Sequence, residues 1–209
     1  MLSGILDNLN KKKIILGSTS ESRKNMLSKY LGLTFDIKPS NFPETLDKSS
    51  FKTPELYCEA TVQGKVDDLM TQNLDFDVLI AGDTIVVDNK ENILEKPVDH
   101  NEQIKMLKSL SNTWHYVISA LIVIIRKDGQ EIVEKHLGKA KLYFSEIPEQ
   151  AIYKYGQIVP DVYKHSGGYE ISSYGFNMIE KIDGDWGTAI GLPINALAKI
   201  LHKHFYEQQ

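Results

Sequence analysis

Short apolar runs alternate with helical patterns along the first part of the chain, and a long hairpin pattern follows. The apolar runs predict β-strands at residues 13–17, 33–37, 77–81, 93–97, 114–126, 131–144 and 176–182. Apolar positions three and four apart predict helices that end near residues 30 and 70, one that follows Asp99, one at 149–155 and one that starts at Pro193. Residues 127–129 predict the hairpin turn, and 166–168 a flexible turn.

The order of these elements indicates an α/β fold. Helices and strands alternate early, whereas two long strands joined by a tight turn come late, and this combination favours a mixed sheet. The strand at 77–81 is expected to end at Gly82-Asp83-Thr84, after which residues 85–87 continue extended. We expect residues 1–209 to form a single domain with an N-terminal tail at 1–12. Within this domain we expect residues 97–138 to form a second lobe.

The predicted helix that ends near residue 70 contains an unusual glycine. Thr53 and Pro54 are typical of the N-cap and first position of a helix. Gly64 lies inside this helix, where glycine costs about 1 kcal/mol relative to alanine. We therefore expect another segment to approach the helix closely at Gly64, beside Lys65.

Composition and charge narrow the class of protein. The chain has 209 residues and a net charge of −4, which argues against a general binder of nucleic acid polymers but leaves room for a local basic cleft. Cys58 is the single cysteine, so an intramolecular disulfide is excluded, and its helical setting predicts a small core residue. The longest apolar run, 120–125, is too short to span a membrane, and residues 1–13 lack a secretory signal core. We expect a soluble cytoplasmic protein.

The stretch 14–24, IILGSTSESRK, connects the first strand to the first helix. Hydroxyls and an arginine at a helix entry suit a phosphate, because unpaired N–H groups and the helix dipole attract anions there. The alternative is an ordinary turn with Ser20 as the N-cap and Arg23 in solvent. From this stretch alone the ordinary turn is favoured.

Asp83 is the strongest single candidate for chemistry. It follows an apolar strand, and ligands of α/β sheets gather at the carboxyl ends of strands. A carboxylate there binds a divalent cation or activates a water, although an aspartate in an ordinary turn explains the position equally well. Lys65 and Lys96 are natural partners of a phosphate chain, but each alone is better explained as a solvated lysine. Glu44, in a loop with prolines, is equally ambiguous.

Several common active-site motifs are absent from the sequence. It contains neither GxxxxGK[ST] nor GxGxxG, which excludes the P-loop and the Rossmann dinucleotide site. It also lacks the HExxH zinc motif and the GxSxG nucleophile elbow.

Taken together, the motifs resemble those of the Maf family of nucleoside triphosphate pyrophosphatases. The resemblance extends from residue 14 to about 201 and rests on motifs in a fixed order: IILGSTSESRK, the Lys65 helix, AGDT at 81–84, EKP at 95–97, SGGYEI at 166–171 and KIDGDWGTAIGLPI at 181–194. It implies a Maf- or ITPase-like α/β fold with a central mixed sheet flanked by helices and two lobes around a nucleotide cleft. It also implies hydrolysis of a nucleoside triphosphate to the monophosphate and pyrophosphate with a divalent cation, Mg²⁺ or Mn²⁺.

The resemblance assigns roles to individual residues. The aspartate that acts as general base falls on Asp83, and the serine and arginine that hold the triphosphate fall on Ser18 and Arg23. The two cleft lysines fall on Lys65 and Lys96. Glu44 matches a loop acid that helps to position the metal together with Asp83.

Base preference is where this sequence departs from the family pattern. The bacterial string is SPRR, whereas here Glu21 replaces the proline and Ser22 the first arginine. The specificity positions fall on Ser22, Thr84 and Ser172. Thr84 matches the type that acts on dTTP and UTP, whereas Ser22 and Ser172 match neither that type nor the 7-methyl-GTP type. We therefore favour pyrimidine or modified nucleotides.

Two alternatives to this enzyme stay open. The altered SESRK loop is compatible with a non-catalytic nucleotide-binding regulator of growth or division, and a different phosphate-ester hydrolase is a weaker option. The resemblance further implies a homodimer, and the nucleoside triphosphate is the expected partner, with no nucleic acid polymer and no membrane.

Overall fold

The computed structural model describes residues 1–206, and at Pro160 the backbone only. The helices are α1 Leu6–Leu9, α2 Glu21–Asn25, α3 Pro54–Thr71, α4 His100–Leu110, α5 Glu149–Ile158, α6 Trp186–Ile190 and α7 Ile194–Phe205. The strands are β1 Ile14–Leu16, β2 Asp36–Ile37, β3 Val78–Val87, β4 Ile93–Leu94, β5 Trp114–Lys127, β6 Gln130–Phe144 and β7 Ile179–Asp183. A π-helical turn, Met26–Tyr30, continues α2.

The strands form one mixed sheet, as predicted. Its order is β2-β1-β3-β5-β6-β7, and β4 pairs with β3. Strand β1 runs parallel to both β2 and β3, whereas β4 is antiparallel to β3 and β7 is antiparallel to β6. The turn between β5 and β6 places Asp128 and Gly129 at positive φ, the backbone of a tight hairpin. The α/β class is therefore confirmed.

The chain divides into two compact units. The first unit contains Met1–Asp83, Ala120–Leu137 and the chain from Gly191 onward, and the second contains Thr84–Ser119 and Gly138–Ile190. The prediction of a second lobe at 97–138 is therefore wrong in its bounds. The reason is the length of β5 and β6: the half of the hairpin next to its turn belongs to the first unit, and the other half belongs to the second.

Each unit has its own apolar core. In the first unit, β1 and residues 78–81 of β3 are fully apolar and buried, as expected for parallel strands covered on both faces. Helix α3 packs Cys58, Val62 and Leu69 into this core. In the second unit the cluster is built from β5, β6, α4 and α5, with Leu107, Val117, Leu142, Phe144 and Ile152 among its members.

The predicted helix caps are confirmed. Thr53 accepts a hydrogen bond from the Leu56 N–H at the start of α3, and Asp99 accepts one from Glu102 at the start of α4. Cap residues were predictable because their side-chain oxygens satisfy N–H groups that the helix leaves unpaired.

Some predicted bounds are wrong. The strand predicted to end at residues 82–84 continues without a turn to Val87. The strand at 33–37 shortens to two residues, and residues 174–178 form a 3₁₀ turn ahead of β7. Helix α6 was missed, because its five residues are too few to show a helical period.

No helix among residues 1–206 has both the length and the apolar character needed to cross a membrane.

Candidate functional site

The loop between β1 and α2 is shaped by close packing in the first unit. The Gly17 N–H donates to the Ile80 carbonyl at 2.8 Å, and a Cβ on Gly17 would lie 2.4 Å from the Leu69 side chain. Ser20 is the N-cap of α2 and accepts from the Arg23 N–H at 3.4 Å. The predicted N-cap is confirmed, but the solvent-exposed arginine of the ordinary-turn interpretation is not.

Arg23 is buried and held in a fixed orientation. Its Nε donates to the Gly191 carbonyl at 2.9 Å, and its guanidinium donates to Ser18 Oγ at 3.1 Å. The guanidinium lies against Gly82, where a Cβ would approach Arg23 Nε to 3.3 Å, so a side chain there would crowd it. Burial lowers the pKa of Arg23, and the charge of Asp83 acts in the opposite direction. The structure thus brings together the predicted pair Ser18 and Arg23.

Lys65 joins two of the predicted acidic residues. Its ammonium lies 2.6 Å from Asp83 Oδ1 and 2.8 Å from Glu44 Oε1. The side chains of Lys65 and Asp83 are 11% and 10% exposed, whereas that of Glu44 is 43% exposed. One cation therefore bridges a buried carboxylate in β3 and a half-exposed carboxylate in a loop, which concentrates charge around Asp83.

Gly64 explains how that loop reaches α3. A Cβ on Gly64 would lie 2.4 Å from the ring of Phe42, so only glycine lets the ring pack against the helix at this point. The loop is also tied to Asp68, which accepts from the Asn41 N–H at 2.7 Å and from Ser40 Oγ at 2.9 Å. These hydrogen bonds lower the pKa of Asp68. The predicted close approach at Gly64 is confirmed, and it holds the segment that carries Glu44.

Cys58 is a neighbour of Asp83 that the sequence did not indicate. Its Sγ lies 3.7 Å from the Asp83 carbonyl oxygen and 3.8 Å from Oδ2. Burial, and then the charge of Asp83, raise the pKa of the thiol, so it stays neutral. The prediction of a small core residue is confirmed. Its spacing of seven from Lys65 places both on one face of α3, which is the signal that would have linked them.

The second unit contains Thr84, the next residue of β3. Thr84 is half-buried, and its Oγ1 lies 2.9 Å from Ser119 Oγ on β5. Ser119 is fully buried and donates to the Thr188 carbonyl at 2.9 Å. The carbonyl of Thr84 accepts from Ser166 Oγ at 3.3 Å. Ser119 was not predicted, since nothing distinguishes it from its strand neighbours in the sequence.

The other predicted residues have plainer settings. Lys96 is exposed, and the carbonyl of the preceding Glu95 accepts from the Gly167 N–H at 3.1 Å. Ser172 is exposed and donates to Glu170 Oε1 at 3.0 Å. Ser22 is buried on α2. Thr84, Lys96 and Ser172 thus belong to the second unit, and the remaining predicted residues belong to the first.

A separate cavity of about 450 Å³ lies in the second unit. Ile147, Lys154, Tyr155 and Tyr174 are among the residues that line it. It contains none of the predicted site residues, so size alone does not make it the place of the chemistry.

Asp83 and Glu44 could supply some, but not all, of the ligands of a divalent cation. Residues 1–206 contain no group of three or more His, Cys, Asp or Glu side chains that could hold a metal ion. Asp83 and Glu44 supply oxygen donors that meet at one ammonium. Mg²⁺ is commonly held by one or two carboxylates together with substrate phosphates, and these two side chains fit that pattern.

Comparison with known proteins identifies relatives of this chain. The model of the family described as "Maf-like protein" matches residues 13–204. A dTTP/UTP pyrophosphatase of Treponema denticola is 34% identical over 203 residues, covering 92% of this chain and 97% of that protein. A dTTP/UTP pyrophosphatase of Pyrococcus furiosus is 35% identical over 191 residues, covering 91% of this chain and 94% of that protein.

A human relative is much longer than this chain. It is named as a bifunctional dTTP/UTP pyrophosphatase/methyltransferase protein and is 34% identical over 215 residues, which cover 99% of this chain. This chain spans 34% of the human protein's length. A solved structure from Vibrio cholerae covers 94% of this chain with a TM-score of 0.38 and 9% identity, too low to carry any inference.

Proposed function

Since the chain belongs to the Maf family, we propose that it is a nucleoside triphosphate pyrophosphatase that converts dTTP or UTP to the monophosphate and pyrophosphate. The observation that carries this proposal is the contact of Lys65 with both Asp83 and Glu44, beside the buried pair of Arg23 and Ser18 in the same unit. The names of the bacterial and archaeal relatives support the pyrimidine nucleotides.

Arg23 and Ser18 act on the phosphate chain. A triphosphate carries about four negative charges near neutral pH, and fixed cations must neutralise them for an anionic leaving group to depart. The contacts with the Gly191 carbonyl and Ser18 Oγ fix the plane of the guanidinium before substrate arrives. Such preorganisation stabilises developing charge without reorientation during the reaction. Lys96 adds a second positive charge as a proposed substrate ligand.

Asp83 acts on the attacking water. As general base it takes a proton from the water, whose oxygen bonds to the α-phosphorus while the bond from that phosphorus to the bridging oxygen breaks. Pyrophosphate leaves with that bonding pair, and the monophosphate remains. The contact with Lys65 at 2.6 Å orients the Asp83 carboxylate. Asp83 and Glu44 would also hold Mg²⁺ or Mn²⁺, which supplies charge neutralisation when bound.

A panel of triphosphates tests the proposal. Purified protein with Mg²⁺ or Mn²⁺ is incubated with dTTP, UTP, CTP, GTP, ATP and modified nucleotides, and products are resolved by ³¹P NMR. We expect monophosphate and pyrophosphate from dTTP and UTP. Folded protein that releases neither product from any nucleotide would refute the enzyme, and release of orthophosphate would indicate a different phosphate-ester hydrolase.

Substitution of Asp83 tests its role. Asp83→Asn keeps the shape of the side chain and removes the base, so we expect kcat to fall by about 10²-fold or more. Asp88→Asn is the matched control, because Asp88 is a buried carboxylate just after β3 that accepts from the Lys90 and Asn92 N–H groups. Near-normal turnover by Asp83→Asn would remove Asp83 from the role of base.

One observation favours a second candidate, the non-catalytic nucleotide-binding regulator. Ser22 replaces an arginine of the family string and is buried on α2, so the loop carries one positive charge fewer. Tight binding of a triphosphate without turnover would favour this regulator. The homodimer, the cytoplasmic location, the single domain at 1–209 and the absence of a nucleic acid partner stay predictions.

A further inference from the structure

Ser119 links Thr84 to a rigid part of the second unit. Its side chain is 0% exposed, and its Oγ lies 2.9 Å from both Thr84 Oγ1 and the Thr188 carbonyl oxygen. Hydrogen bonds to two polar partners fix the position of a hydroxyl this deeply buried, and the same bonds fix the positions of the partners. The proposed function assigns no role to Ser119.

The direction of the hydrogen bonds follows from the chemistry of the three groups. A carbonyl oxygen only accepts, so the single hydroxyl proton of Ser119 is donated to Thr188. Ser119 Oγ is therefore the acceptor in its contact with Thr84, and Thr84 Oγ1 is the donor. Because a threonine hydroxyl also carries one proton, Thr84 Oγ1 meets any further partner with its lone pairs.

The far end of this chain of hydrogen bonds is fixed. Asp185 accepts from the Thr188 N–H at 2.7 Å and from Thr188 Oγ1 at 2.8 Å. A Cβ on Gly138 would lie 2.2 Å from Thr188 Oγ1, so glycine in β6 makes the room that Thr188 needs. The Thr188 carbonyl therefore stays where Ser119 can donate to it.

We propose that Ser119 is a positioning residue that makes the Thr84 hydroxyl a hydrogen-bond acceptor toward the base of the substrate, so that the site selects bases that present an N–H there. Uracil and thymine present one N–H, at N3, whereas N3 of cytosine is an acceptor and would meet lone pair against lone pair. This inference rests on the proposed function and on Thr84 as a specificity residue. It adds a residue and a mechanism for discrimination of UTP from CTP.

A double-mutant cycle tests the inference. Ser119→Ala removes the group that accepts the Thr84 proton, so Thr84 Oγ1 is no longer held as an acceptor toward the base. The ratio of kcat/KM for UTP over CTP should then fall by roughly three- to tenfold. Thr84→Val should lower the same ratio. If Ser119 acts through Thr84, adding Ser119→Ala to Thr84→Val changes the ratio no further.

Ser109→Ala is the matched control. Ser109 also lies in the second unit and donates its hydroxyl to a main-chain carbonyl, that of Met106, so it controls for loss of a serine hydroxyl as such. Its UTP to CTP ratio should equal that of the wild type. Melting temperatures of all variants separate a change in selectivity from a loss of folded protein.

A modified substrate tests the wild-type protein directly and does not depend on the folding of any variant. UTP methylated at N3 lacks the N–H and should be turned over at least tenfold more slowly than UTP methylated at C5. Equal turnover of the two analogues, or a full effect of Ser119→Ala in the Thr84→Val background, overturns the inference. Wild-type protein that does not hydrolyse UTP at all would instead overturn the proposed function.

Discussion

Replacement of Lys65 by methionine should destabilise the protein because it leaves a buried carboxylate without its cation. Asp83 and Lys65 side chains are 10% and 11% exposed and 2.6 Å apart, so water screens their interaction little. Removing one partner of a buried pair typically costs about 3–5 kcal/mol, because the other charge stays desolvated. The contact of Lys65 with the half-exposed Glu44 adds little, since exposed pairs contribute about 1 kcal/mol or less.

We therefore expect Lys65→Met to lower the free energy of unfolding by about 3 kcal/mol, at the low end of that range. For a chain of this size this corresponds to a fall in Tm of roughly 6–12 °C. Urea denaturation followed by circular dichroism and differential scanning calorimetry measure the two quantities. Lys108→Met is the control, because Lys108 pairs with Glu149 at 2.5 Å on the surface, with side chains 43% and 67% exposed. Its Tm should match the wild type.

A cycle with Asp83→Asn separates the ion pair from other effects of the substitution. Once Asp83 carries no charge, Lys65→Met strands no buried carboxylate, so the two substitutions together should cost less than the sum of the single ones by about 1–3 kcal/mol. Additive effects within about 0.5 kcal/mol would refute the reasoning, because they would mean that the charges of Lys65 and Asp83 do not interact in the folded state.

Two further predictions concern packing and pH. Gly64→Ala should not stabilise the wild type despite a gain in helix propensity of about 1 kcal/mol, because the new Cβ would lie 2.4 Å from the Phe42 ring. In a Phe42→Ala background, where the ring is absent, Gly64→Ala should raise the free energy of unfolding by about 1 kcal/mol, as measured by urea denaturation. Burial lowers the pKa of His115 to about 3. The unfolded chain takes up a proton on this imidazole below about pH 6.5 and the folded chain does not, so stability should fall on acidification by up to about 1.4 kcal/mol per pH unit. His115→Gln should flatten this slope between pH 6.5 and 4.5, and an unchanged slope would assign it to other groups.

The fold class was predictable because periodicity and caps are local. Thr53 and Asp99 act as N-caps, and Gly64 marks a close approach to α3. In each case the residue type and its position in the helix are enough for the prediction, without knowledge of a distant partner. The partner at Gly64, the Phe42 ring, was not predictable, because it comes from a loop without periodicity. Likewise, Ser119 lies in a buried strand, where a pattern of apolar positions accommodates a small serine as readily as an alanine. The hydrogen bonds of Ser119 were therefore not predictable.

Asp83 was selected from the sequence for a reason that the structure contradicts. The sequence pattern predicts that Asp83 follows the end of a strand, whereas β3 runs through Asp83 from Val78 to Val87. Gly82 suggested the turn, but its backbone is extended, and its lack of a side chain instead accommodates the Arg23 guanidinium. A glycine inside a strand is found at sites of close approach of another group as well as at bulges and bends. The role of Asp83 as base stays a prediction.

The continuous strand gives the two neighbouring residues Asp83 and Thr84 different contacts. Successive side chains of a strand point to opposite faces of the sheet. Asp83 contacts Lys65 within the first unit, and Thr84 contacts Ser119 within the second. Under the proposed function, adjacent residues of one strand then carry catalysis and base selection. Their separation depends on strand register, because a shift by one residue would exchange the faces of both side chains. A turn at Gly82 would have left undefined which face of the sheet each of these side chains points to. Because β3 is unbroken over ten residues, its side chains alternate between the two faces through Asp83 and Thr84.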